Sequence, residues 1–201
     1  MHEFKPNPHN FTFNGCSTCE DCCSGKKFLI APLILEDFVL VKDYFPILFG
    51  YIDYNLKCFI LFSNGDSACP YLINNICSIY SNRPPACKTY PLSPFNDQVL
   101  CDTSCPAVQY KSDFPFGIPF IENNKINQSF HPTRFDNFVS KYKKTKKWLD
   151  SIEDKLVYLN AELQGIKLFK LDPNLHSDEY SNLHFNSLKN LKLFPFVGDC
   201  K

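Results

Sequence analysis

The chain reads as an α+β protein, in which a small, irregular, cysteine-rich metal-binding domain with a short β-hairpin and a core helix is followed by a long amphipathic helix. Three observations carry that expectation. Nine of the eleven cysteines form one spaced array, Cys16-x2-Cys19-x2-Cys22-Cys23 and then Cys69, Cys77, Cys87, Cys101 and Cys105. Strand-type residues flank turn signals between Tyr51 and Asp66. Beyond Phe135, apolar residues recur at three- and four-residue steps. Residues 1–110 are therefore expected to form the cysteine-cluster domain, with 111–201 a helical C-terminal extension packed on it. A length of 201 residues is enough for one buried core with an extension.

Residues 1–27 are rich in Asn, Pro, Gly and Cys and show no strand or helix period. They read as an extended lead-in ending in a ligand loop, NGCSTCEDCCSG, which bound metal would order. After Pro32, the positions of Leu35, Phe38, Val39 and Tyr44 fit a core helix that Pro46 ends. YIDYN and KCFILFS then predict an antiparallel hairpin turning at Asn55, and Asn64-Gly65-Asp66 is a further turn signal before Cys69-Pro70. Cys58 falls inside the second strand, apart from the array, and reads as a small buried hydrophobe. From Cys69 to Cys105 the chain holds Pro70, Pro84, Pro85, Pro91 and Pro94, a density that forbids long helices and leaves short turns between thiols.

The second half predicts one long helix through Phe135, Phe138, Val139, Tyr142, Trp148, Leu149, Ile152, Leu156 and Leu159. Lys141, Lys143, Lys144, Lys146 and Lys147 lie opposite the apolar stripe. A solvated face is the favoured reading of these lysines, and a grip on phosphate, RNA or an acidic protein is the alternative. IKLFKL beyond Gly165 predicts a strand, and FNSLKNLKLF a short terminal helix.

Lys plus Arg equals Asp plus Glu at 21 each, so the overall field gives no long-range attraction for nucleic acid or an anionic membrane. The longest apolar run, Phe28 to Leu35, contains Pro32 and falls far short of the roughly 20 residues a membrane span needs. The N-terminus lacks the pattern of a secretory signal. A soluble protein of the cytoplasm is the expectation. Thiols there stay reduced, so a dense and odd-numbered cysteine set points to metal rather than disulfides. The sequons at Asn10 and Asn127 read as accidental.

A thiolate is the metal-binding form of cysteine, and several gathered together are tolerable only around a cation or an iron-sulfur core. Cys22 and Cys23, being consecutive, are poorly placed to bind one ion, so two sites are expected from the nine arrayed thiols, with Arg83 near one of them. The bacterial ferredoxin run is present only in fragments, the C-x3-C-P element standing alone at Cys101 to Pro106. No C-x3-C-x2-C triplet of radical enzymes occurs, nor paired histidines at zinc-finger spacing. Sulfur-only ligation suits an iron-sulfur cluster, 4Fe-4S by preference, and zinc alike. The five histidines are dispersed, and no G-x-S-x-G or P-loop pattern is present.

CSTCEDCC followed by ACPYLINNICSIYSNRPPACKTYPLSPF resembles the CxxCxxCC zinc- or iron-chelating family, also called the YkgJ-type cysteine cluster family. The similarity runs in order through about residues 14 to 106, and residues 107–201 lie outside it. It implies Cys16, Cys19, Cys22, Cys23, Cys69, Cys77 and Cys87 as metal ligands, with Cys101 and Cys105 as late ligands. Glu20-Asp21 stands where many members have glycine, which adds negative charge without removing a ligand. The family is similar to flagellin lysine N-methylases, so the resemblance also implies, as an alternative, S-adenosylmethionine as cofactor and a protein lysine as substrate. Only seven glycines and no G-x-G loop after a strand argue against a Rossmann-type site for it. Arg83 could donate to cluster sulfurs, hold a substrate carboxylate, or form an ordinary turn-stabilising ion pair. Tyr80 and Tyr90 are expected to pack as core, with shielding of the cluster the alternative.

Overall fold

Residues 4–15, 22–25, 29–95, 98–174 and 178–194 are described in a computed structural model of the chain. Strands β1 (Phe4–Pro6), β2 (Phe11–Phe13) and β3 (Ile30–Pro32) lead to helix α1 (Phe38–Val41), and then come β4 (Ile47–Ile52), β5 (Asn55–Leu61), β6 (Leu72–Ile73) and β7 (Ile76–Cys77). Helix α2 (Pro85–Thr89) precedes β8 (Leu92–Phe95), β9 (Gln98–Asp102), β10 (Val108–Tyr110), β11 (Ile118–Pro119), β12 (Ile121–Glu122) and β13 (Lys125–Ile126). Helix α3 (Phe138–Ile152), β14 (Leu156–Leu163), β15 (Ile166–Leu171) and α4 (Glu179–Ser187) complete the chain's regular structure. The architecture is mixed α+β, with several small sheets and one long helix.

Contacts divide the chain into two units, one of residues up to 20 with 83–140 and the other of 21–82 with 141 onward. Each unit is assembled from two separate stretches, rather than from a division at residue 110. The second unit shows why. Its antiparallel sheet runs β14-β15-β4-β5-β3, so two strands from after residue 155 lie beside a hairpin from before residue 62. The expected hairpin is present, but its first strand begins at Ile47 and only Tyr51 and Ile52 of the predicted YIDYN strand belong to it, because the turn is made by Asp53 and Tyr54, both in the left-handed region, rather than at Asn55. Ile47, Leu48, Phe49, Phe59, Ile60 and Leu61 are all fully buried, which makes β4 and β5 the centre of the core. Trp148 of α3 packs edge-on to Phe38 with ring centroids 5.7 Å apart and lies 6.0 Å from Phe49.

Two helix expectations are corrected here. The long amphipathic helix ends at Ile152, and Leu156 and Leu159 belong to strand β14 instead. Pairing with β15 around Gln164 and Gly165, both at positive φ, outweighs the local three- and four-residue spacing. The core helix after Pro32 is a 3-10 turn, Leu35–Asp37, running into a four-residue α1. Leu35, Phe38 and Val41 point into the core, whereas Val39 is 55% exposed, because so short a helix buries only one side. The predicted strand IKLFKL is β15, and the predicted terminal helix is α4 followed by a 3-10 segment, Leu188–Leu193.

In the first unit the lead-in is built into sheets: β1 pairs with β9 and β2 lies between β10 and β11. Phe11 and Phe13 of β2 are buried with Leu92, Cys101, Cys105, Ala107, Phe120 and Phe130 in one apolar cluster. Its rings interlock, Phe120 and Phe130 at 4.8 Å and Phe13 edge-on to Phe130 at 5.5 Å. Among the described residues, no helix is long and apolar enough to cross a membrane.

Candidate metal centre

Eight of the cysteines lie among the described residues, each a thiol and none in a disulfide. Cys16, Cys19 and Cys200 lie outside them. Cys22, Cys23, Cys69 and Cys77 fall in the second unit, and Cys87, Cys101 and Cys105 in the first.

In the second unit, Cys22 and Cys23 are half-buried in a turn that runs to Gly25. Gly25 is buried at φ +76°, and a Cβ there would collide with the Ser67 carbonyl and the Ser63 hydroxyl. Only glycine lets this turn seat against the Ser63–Ser67 segment. The Asn64 side chain shapes that segment by accepting from the amides of Asp66 and Ser67 at 3.0 and 3.1 Å, the turn that Asn-Gly-Asp predicts. Two residues on, the Cys69 amide donates to the Cys23 carbonyl at 2.7 Å. The loop of the opening cysteines is thereby tied to the first cysteine of the later segment.

Cys77 is brought back to Cys69 by the β6–β7 hairpin. Asn74 and Asn75 both take positive φ at its tip, a conformation asparagine tolerates better than most residues, and Leu72 pairs with Cys77. The Leu72 amide donates to the Cys69 carbonyl at 2.9 Å. Tyr71 anchors the base, donating its hydroxyl to the Tyr44 carbonyl at 2.8 Å. Burial pushes the Cys69 thiol up to about 11, and negative charge on Cys77 adds to the rise, so the two sulfurs are electrostatic neighbours. Ionising both would place two negative charges near each other, a cost that a bound cation would offset.

The first unit holds its thiols differently. Cys101 is wholly buried and Cys105 nearly so, both inside the apolar cluster. Burial pushes the Cys101 thiol up to about 12, with further contributions from the charges of Asp102 and Cys105. Asp102, a residue that sequence reasoning missed, fixes the turn between them. Its carboxylate accepts from the Tyr90 hydroxyl at 3.1 Å and from the Ser104 amide and hydroxyl at 3.0 and 2.6 Å. The Asp-Thr-Ser triplet is an Asx-turn pattern and was the available signal. Cys87 is half-buried in α2, where its amide donates to Pro84 at 2.9 Å.

Among the described residues no three His, Cys, Asp or Glu side chains gather as a metal-holding group. What the fold brings together is the Cys69 and Cys77 thiols, with Cys23 tied in by its backbone, and the Cys101 and Cys105 thiols. These are thiol donors of the kind zinc and iron-sulfur cores take. Arg83 is half-buried. Tyr90 packs against the apolar cluster as expected, but Tyr80 is 55% exposed and is no core residue, because its 3-10 turn, Tyr80–Asn82, buries none of its side chains. Cys58 is buried, its thiol meeting the Leu33 carbonyl at 3.4 Å and pushed up by burial and by Asp37, as suits a core residue.

No family model, curated protein or solved structure matches the chain.

Proposed function

We propose that the protein binds metal through its cysteine array, carrying an iron-sulfur cluster or zinc in a structural, redox or sensing role. The observation that carries this reading is the 2.7 Å bond from the Cys69 amide to the Cys23 carbonyl, which draws two distant parts of the array together beside the Cys77 thiol. Cys22, Cys23, Cys69 and Cys77 are the donors in the second unit, and Cys87, Cys101 and Cys105 in the first, with Cys16 and Cys19 from the opening motif. Bound metal would supply positive charge to thiolates that burial otherwise keeps protonated, so binding releases protons and adds to folding free energy. Its redox or sensing capacity would come from an iron-sulfur core, while zinc would serve structure alone. A reducing compartment such as the cytoplasm suits thiols held in this state.

The test is anaerobic purification followed by elemental analysis, acid-labile sulfide determination and a visible spectrum. Iron with sulfide and absorption near 400 nm identifies a cluster, and stoichiometric zinc without colour identifies a zinc site. Full reactivity of all eleven thiols in a folded protein that holds neither metal would overturn the reading.

A further inference from the structure

His184 of α4 sits fully buried where the sheet's hydrogen-bond ladder lapses. Strands β15 and β4 are matched at Phe169 and Phe49, and the register does not continue between Leu171 and Ile47, although each is matched to a strand on its other side. Side chains of α4 bind there instead. His184 Nε2 accepts from the Leu171 amide at 3.2 Å, and Nδ1 meets the Ile47 carbonyl at 2.8 Å. Ser187 accepts from the Ile47 amide at 2.9 Å and donates to the His184 carbonyl at 2.6 Å. One ring bridges two strands and can satisfy both only as the neutral tautomer with its proton on Nδ1.

We propose that His184 is an acid-released latch, whose protonation sets an N–H against the Leu171 N–H and frees α4 from β4 and β15 while the rest of the sheet persists. Among the described residues, no acidic group acts on the imidazolium. From β4 the ring meets the Ile47 carbonyl and, at 4.9 Å, the Phe49 ring, and from its own helix Phe185 at 5.2 Å. The charged group acting on it from β15 is the Lys170 ammonium, which repels a second positive charge. Burial, followed by that repulsion, depresses the imidazole from about 6.5 to about 4. A histidine with a depressed folded value contributes stability that is present above the unfolded value and is lost as pH falls toward the folded one. That gap allows the open fraction to rise by roughly 80-fold between about pH 6.5 and about pH 4, toward a limit of roughly 300-fold over the whole transition.

Trp148, the sole tryptophan, packs on Tyr180 of α4 at 5.9 Å and reports the latch directly. In the full chain, its emission is expected to shift reversibly to the red as pH falls through this window, while the β4–β5 amides keep their protection from hydrogen exchange. His184→Gln offers an amide donor and acceptor without a titrating ring, and it should abolish the shift above about pH 4. An unchanged transition in that variant would refute the latch. The wild-type ring decides the matter even if the variant fails to fold. Nitrogen chemical shifts showing the Nε2–H tautomer at neutral pH, or titration near 6.5, would overturn the proposal, and an Nδ1–H ring titrating near 4 supports it.

Discussion

The indole N–H of Trp148 donates to Asp178 Oδ2 at 2.7 Å, while Oδ1 of the same carboxylate caps α4 by accepting the Ser181 amide at 2.7 Å. One side chain thus starts a helix and satisfies the polar edge of a nearly buried ring on another. Asp178→Ala should cost about 2–4 kcal/mol, combining a lost cap with an unsatisfied buried donor. Asp178→Asn keeps one carbonyl acceptor and turns an NH2 toward the other donor, so it can hold the cap or the indole contact but not both and should recover only part of that loss. Urea denaturation followed by Trp148 emission measures the difference, and equal losses in the two variants would show that the carboxylate's geometry is immaterial.

For the array, Cys19→Ser and Cys87→Ser should lower metal content and destabilise the protein, whereas Cys58→Ser and Cys200→Ser should leave metal content unchanged. Structural zinc supplies on the order of 10 kcal/mol in small domains, so the loss should register in both metal analysis and thermal unfolding. Cys58→Ser carries its own penalty, because a smaller, more polar hydroxyl replaces a thiol that is 2% exposed, even if it donates to the Leu33 carbonyl. That cost affects stability and not stoichiometry, which separates the two effects. Equal metal loss in all four variants would sink the ligand assignment.

How much of this was readable in the sequence depends on where each residue finds its partner. The β4–β5 hairpin was legible because both strands and the turn are contiguous. Leu156 and Leu159 misled because they continue the three- and four-residue spacing of α3, and only pairing with β15 shows them to be strand. Phe11-Thr12-Phe13 alternates as a strand should, but three residues among Asn and Pro are too few to announce one. In the candidate site, the cysteines themselves and the Asn64 turn were apparent. Their approach was not, since it depends on Gly25 fitting against Ser63 and Ser67, a contact with no local signature. His184 belongs to a buried row with Ser181 and Ser187 at three-residue steps, a polar stripe on one helix face that periodicity analysis of apolar residues passes over.

Gly50 lies in β4 where β15 crosses closely. A Cβ at that position would meet Ile166 Cγ2 at 2.8 Å and the Lys167 carbonyl at 2.9 Å. Gly50→Ala therefore overpacks the strand junction and should cost about 1–3 kcal/mol, despite the better strand propensity of alanine. Chemical denaturation checks the magnitude. A neutral or stabilising result would mean that β15 can move away from β4 at no cost.

The lysines of α3 provide the last prediction. Lys144 donates to the Tyr180 hydroxyl at 2.8 Å and lies 3.9 Å from Glu36, while Lys146 pairs with Asp150 four residues on at 2.9 Å. The lysines and carboxylates are well exposed, and exposed pairs contribute about 0–1 kcal/mol each. Replacing Lys143, Lys144 and Lys147 by Gln should therefore leave metal content intact and change stability by less than about 1 kcal/mol. The small loss should come mainly from the Lys144 contact with Tyr180, a ring that also supports Trp148. If instead the helix grips RNA or an acidic protein, the wild type should associate measurably at low salt, and the triple variant should lose both the association and its salt dependence. Wild-type protein that binds neither polyanion at low salt leaves the face as a solvated one, the outcome that the pairing of Lys144 and Lys146 with their own neighbours favours.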